Sequence, residues 1–145
     1  MLCLLSWLKA MKHKLNSILV HALFGVMGGL IYFAIETIWK GKPTNWTMAV
    51  LGGLCFVIVG LLNEGKHQFK QWQQVVIGTV IITVLEGLTG VVLNNILHMG
   101  VWDYSHLPFT FFFGQCNLFF CFAWAVLAFV AIHLEDKMHE IVDNM

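Results

Sequence analysis

Four long apolar runs, about residues 18–39, 46–62, 75–97 and 109–132, leave this chain few ways to fold. At roughly 1.5 Å of rise per residue, each is long enough as a helix to cross a bilayer core about 30 Å thick, the second only just. In hydrocarbon every backbone N–H and C=O must be paired inside the structure, which selects helices or a closed barrel. The period-two alternation of a membrane barrel is absent, so the runs predict helices. Of the 145 residues, 59% are hydrophobic and 11% charged, too few charges for the surface of a soluble domain of this size. The expected fold is all-α: a polytopic membrane protein whose residues 18–133 form a four-transmembrane-helix bundle.

Residues 1–17 and 134–145 flank that bundle. Leu4, Leu5, Leu8, Met11 and Leu15 recur at helical spacing with Lys9, Lys12 and Lys14 off the stripe, which predicts an N-terminal amphipathic helix lying at the membrane interface. The short apolar run near Met1 carries no preceding lysine and does not read as a signal peptide. Glu135, Asp136, Lys137 and Glu140 predict a short, solvated, cytoplasmic tail helix. Six of the eight lysines fall in the N-terminal segment, the loop between the second and third runs, and the tail; Lys40 and Lys42 occupy the other side. Positive charge marks the cytoplasmic side, so both termini are expected there. Trp39, Trp46, Trp72 and Trp102 fall at the edges of the runs, where amphipathic rings settle.

Within that frame the polar residues gather. Glu86 stands in the middle of the third run, where an acidic side chain costs about 2.5–3.5 kcal/mol on insertion scales unless it is protonated, paired or hydrated. Thr79, Thr83, Glu86, Gly90 and Asn94 repeat at helical spacing and form one face of small and polar groups, which should meet protein or water, not lipid. Tyr32 and Glu36 approach the outer end of the first run, Trp102, Asp103 and Tyr104 follow the third, and Gln115 opens the fourth. Together with Glu86 and Asn94 these residues are the candidate site, for transport or for packing. Alternatives stay open: Glu36 has Lys40 four residues on, in the favourable order for an ion pair, the asparagines can serve as interhelical glue, and Asp103 can brace its loop. Gly25 and Gly29 have the spacing of close helix contact, within one chain or between two.

Several functions are disfavoured. All eight basic residues are lysines in scattered groups and formal net charge is zero, so no nucleic-acid partner is expected. Cys3, Cys55, Cys116 and Cys121 have no metal or redox spacing. Gly60–His67 approaches a phosphate-binding loop but ends in His where a hydroxyl should hold magnesium. No GxSxG, HExxH or cofactor motif appears, so no enzyme activity, cofactor or metal is expected; an outer metal held by His98, Asp103 and His106 is the weak exception.

Five stretches carry a family resemblance. They are Gly28-Gly29-Leu-Ile-Tyr32-Phe-Ala-Ile-Glu36 with Trp39-Lys40-Gly41, Met48 to Phe56, Gly60-Leu-Leu-Asn63-Glu64, Thr83-Val-Leu-Glu86-Gly-Leu-Thr-Gly90 with Asn94, and Trp102-Asp103-Tyr104-Ser105 with Pro108. Gly114-Gln115-Cys116 follows. In order and over about residues 25–137 they resemble the type IV ABC-transporter permease family, the CmpB-like membrane proteins of Firmicutes. Lys40 stands where that family carries Arg, keeping the charge without the planar fork, and Thr110 stands where it carries Asn. The resemblance implies a multi-pass protein of the bacterial plasma membrane and a permease component served by a separate ATPase subunit. A homo-oligomer is a further expectation, because four helices make a small bundle. Two other readings compete: a proton-coupled exporter of hydrophobic cations, by architecture alone, and a non-transporting scaffold or assembly subunit whose polar cluster locks the helices.

Overall fold

The computed structural model describes residues 2–64 and 69–144, with the side chains of residues 2–15 outside that description. Four α-helices follow in order: α1 (Leu2–Lys40), α2 (Thr47–Gly60), α3 (Gln71–Gly90) and α4 (Leu118–Asp143). A π-helical segment, Val91–Ile96, continues α3. The chain is all-helical, with 73% of it in helix. Three segments are long and apolar enough to cross a membrane: Asn16–Lys40, Gln71–Ile96 and Leu118–Asp143. The second expected span is a shorter apolar helix of 14 residues, which rises about 21 Å. The helix α1 runs unbroken from Leu2, and the leucine stripe expected before residue 16 lies on side chains outside the described residues.

Helix α3 sorts its faces as its sequence predicts. Val76, Val80, Val84, Leu88 and Val92 are exposed along one side, suited to lipid. Gln74, Gly78, Glu86, Gly87 and Gly90 are buried on the other. Between α1 and α2 the contact is backbone to backbone. A Cβ on Gly29 would collide with the Ala49 carbonyl oxygen, and one on Gly53 with that of Gly25. The small-residue pattern is therefore used within one chain, which its spacing left open. Near the far end of α3 the core joins Met48, Leu51, Cys55 and Trp102, packed by Tyr32, Ile82 and Tyr104. At the opposite end Phe24, Phe56 and Met138 form a second cluster.

Two boundaries differ from expectation. The fourth span was expected from residue 109, but α4 starts at Leu118, and Thr110–Phe111 pairs antiparallel with Cys116–Asn117 as a small hairpin. Hydropathy could not see this, because the hairpin is as apolar as a helix. Polar caps and backbone conformation decide it. Phe109, Phe112, Phe113 and Gly114 all have positive φ, incompatible with a right-handed helix. Asn117 then accepts from the Phe119 N–H and donates to Pro108 O and Thr110 Oγ1, fixing the helix start. At the other end, the tail is not a separate solvated helix: α4 continues to Asp143 and buries Glu135 and Met138. Two cross-links stitch this tail end, Asn63 to Asp136 at 2.8 Å and Gln71 to His133 at 2.8 Å.

Candidate functional site

Glu86 is 4% exposed and its carboxyl is met from two sides. The Trp124 indole N–H donates to Oε2 at 2.7 Å and the Tyr104 hydroxyl to Oε1 at 3.2 Å. The sequence reading did not single out Trp124. Its signal was present: an indole N–H in the middle of an apolar helix needs an acceptor, and Glu86 is the mid-depth acceptor on the neighbouring run. Tyr104 is stacked on Phe120 with ring centroids 4.5 Å apart. Tyr32 lies beside Trp124, with ring centroids at 6.1 Å.

Below this group lies a cavity of about 100 Å³ between the four helices, lined by Tyr32, Cys55, Phe56, Ile82, Glu86, Trp124 and otherwise by aliphatic side chains and glycines. Glu86 is its one ionisable carboxyl. Above it, Lys40, Thr44, Asn45, Trp102, Asp103 and Tyr104 line a wide, open vestibule at the long-loop end. Tyr104 faces the vestibule and holds Glu86, which faces the cavity. The Tyr104–Glu86 hydrogen bond thus links a residue of one space to a residue of the other.

The other expected site residues divide into three groups. Glu36 pairs with Lys40 at 3.0 Å and accepts from the Tyr32 hydroxyl at 3.4 Å. Lys40 also reaches Thr44 Oγ1 at 3.1 Å and the Val101 carbonyl at 3.5 Å, so a single ammonium ties α1 to the long loop. Asn94, Trp102 and Gln115 make a fully paired knot. Asn94 donates to Gln115 Oε1 at 2.7 Å and accepts from the Val101 N–H at 2.7 Å, while the Trp102 indole donates to the Gln115 carbonyl at 3.1 Å. Gln115 Nε2 donates in turn to Asn95 Oδ1 at 3.0 Å. With donors and acceptors consumed, this knot braces the loop over the bundle.

Asp103 stays apart, exposed, accepting from the Ser105 N–H at 2.8 Å and the Ser105 hydroxyl at 2.9 Å. These two donors hold its carboxyl below the usual carboxylate range. Thr110, where the resemblance expected Asn, donates to the Tyr104 carbonyl at 2.7 Å and so helps position that tyrosine. His98, Asp103 and His106 do not converge on a metal. Among the described residues, the group whose ligand atoms do converge is His21, Glu64, Glu135 and His139, at the tail end.

Comparison with known proteins agrees with this arrangement at the level of family. No curated protein and no solved structure matches the chain. A family model described as putative ABC-transporter type IV matches residues 18–145, the whole helical bundle with its long loop and tail, and the chain belongs to that family.

Proposed function

We propose that this chain is the membrane-embedded permease component of an ABC-type transporter, acting with a separate ATPase subunit. In this reading it crosses a bacterial plasma membrane four times with both termini in the cytoplasm. Lys70 and Lys137 at the tail end support that orientation, with Lys40 and Lys42 at the other. The observation that carries the reading is a buried carboxyl, Glu86, on the wall of a cavity between the helices, hydrogen-bonded by Tyr104, which itself lines an open vestibule. It supports an alternating passage in which Tyr104 releases Glu86 to admit a solute. At about 100 Å³ the cavity is far below the roughly 300–1,000 Å³ of drug-sized ligand sites, so in this reading it must widen to hold a solute of that size. The same figure leaves the exporter of small hydrophobic cations needing the same widening for any drug-sized substrate.

Cys55 on the cavity wall gives a direct assay. In protein lacking the other cysteines, a membrane-impermeant thiol reagent added from the vestibule side should label Cys55 slowly. Tyr104→Ala should speed that labelling at least tenfold. Equal rates would remove the gate. Isolation from native membranes should also bring down a nucleotide-binding subunit, and its persistent absence would remove the ATP-coupled version.

A scaffold role is the second reading, favoured by one fact: both Glu86 oxygens already have partners within the chain. It requires that every Glu86 substitution act through folding or assembly alone.

A further inference from the structure

The tail end carries a separate constellation that the transport reading does not use. His21 from α1, Glu64 after α2, and Glu135 and His139 from α4 bring one ligand atom each within 4.8 Å of all the others. We infer that these four side chains bind one divalent transition-metal cation of the Zn²⁺ class.

Distances fit. Zinc bonds to imidazole nitrogen and carboxylate oxygen of about 2.0–2.2 Å imply tetrahedral edges of about 3.4 Å. Here the close pairs lie at 2.6, 2.7 and 3.0 Å and the widest within 4.8 Å, bracketing that edge. Donor chemistry fits as well: two imidazoles with two carboxylates suit Zn²⁺ and its neighbours better than the all-oxygen shells of Ca²⁺ or Mg²⁺.

Proton bookkeeping is the independent observation. His21 Nδ1 lies 2.8 Å from the Ser17 carbonyl, which only accepts, so Nδ1 carries the proton. Its Nε2 lies 3.0 Å from both Glu64 oxygens, a contact that either a proton or a metal ion on Nε2 would bridge. His139 Nε2 stands 2.6 Å from Glu64 and 2.7 Å from Glu135 yet is aligned for a hydrogen bond with neither. Glu135 is 2% exposed and its Oε2 has no hydrogen-bond partner. Two buried atoms without a hydrogen-bond partner, beside a histidine and a carboxylate within ligand distance, are what a cation between them would satisfy. The surroundings hold the set in place. The Ser17 carbonyl orients His21 as metal-bound histidines are usually oriented, the Phe24 ring packs edge-on against His139 at 4.8 Å, and Gly60 leaves room for Glu135, whose Cγ would lie 2.6 Å from a Cβ there. Bound metal would clamp α1, the turn after α2 and α4 together.

The test uses the full-length protein in detergent, stripped with chelator and titrated with Co²⁺ followed by visible absorption, then with Zn²⁺ by calorimetry. One equivalent should bind, Zn²⁺ should displace Co²⁺, and millimolar Mg²⁺ should not compete. Glu64→Ala, at an exposed turn, and His139→Gln should each weaken binding at least tenfold, while His133→Gln should not. Should His139→Gln fail to fold, Glu64→Ala decides alone. Absence of saturable binding, effective competition by Mg²⁺, or wild-type affinity in Glu64→Ala would overturn the assignment.

Discussion

Replacing Glu86 by Gln and, separately, by Leu separates what this side chain does for folding from what it does for function. The glutamine carbonyl can still accept from Trp124, at 2.7 Å in the parent, and its amide can donate to the Tyr104 oxygen, at 3.2 Å. Only the Tyr104 proton loses its acceptor, so the cost should stay near one ordinary hydrogen bond, about 0.5–1.5 kcal/mol. Leucine leaves two donors, the indole N–H and the phenol O–H, with no acceptor in an apolar surround. At about 1–3 kcal/mol per unsatisfied buried group, the loss is about 2–6 kcal/mol. Part of this is offset because leucine needs no carboxyl burial. Thermal unfolding in detergent and abundance in membranes should therefore rank wild type close to Glu86→Gln, with Glu86→Leu well below. Under the transport reading Glu86→Gln abolishes transport at normal abundance. If Gln destabilises as much as Leu, the hydrogen-bond argument fails. If Gln leaves transport intact, the carboxyl has no functional role.

Other perturbations test other parts of the structure. Gly29→Val drives a side chain into the Ala49 carbonyl and should cost about 1–3 kcal/mol or more by overpacking, read as a lowered unfolding temperature; an unchanged one would refute the close α1–α2 approach. Asn117→Ala removes the α4 cap and two donated hydrogen bonds, about 2–4 kcal/mol together, and should raise hydrogen exchange of the Phe119 amide and across residues 108–117. Asp103 has a depressed folded midpoint, so its turn gains stability above the ordinary carboxylate value near pH 4 and loses it as pH falls through the lower folded value. Ser105→Ala keeps the backbone N–H and removes the hydroxyl, so it should move that midpoint part of the way upward in a carboxyl-carbon NMR titration, and an unmoved midpoint would refute the hydroxyl's share.

Much of the bundle was legible because hydropathy and helical period report directly on burial. The stripe through Thr79, Glu86 and Gly90 predicted the protein-facing side of α3, and the exposed valines lie opposite it. Tyr32, Glu86 and Tyr104 do come together. Asn94, Trp102 and Gln115 come together beside them, as a brace, because amide groups carry both donors and acceptors and satisfy one another before any cavity wall. Residues 109–117 misled because Phe and Thr suit a strand as well as a membrane helix; only Asn117 and the positive φ values mark the break, and the latter are invisible in sequence. The tail misled because charge was read as exposure, although Glu135 and His139 share one helix face and turn inward together. No periodicity connects His21 with Glu64. Their meeting is a product of topology.

The brevity of α2 has a consequence for the surrounding lipid. Its 14 residues rise about 21 Å, roughly a third less than a hydrocarbon core of about 30 Å. If α2 crosses the bilayer as proposed, acyl chains resting on the exposed Val50 and Leu54 must shorten there, and such mismatch costs fractions of a kcal/mol per Å. Under the proposed four-span reading, one flank of the protein would dimple its membrane, and the protein should then partition toward thin bilayers and away from thick ones.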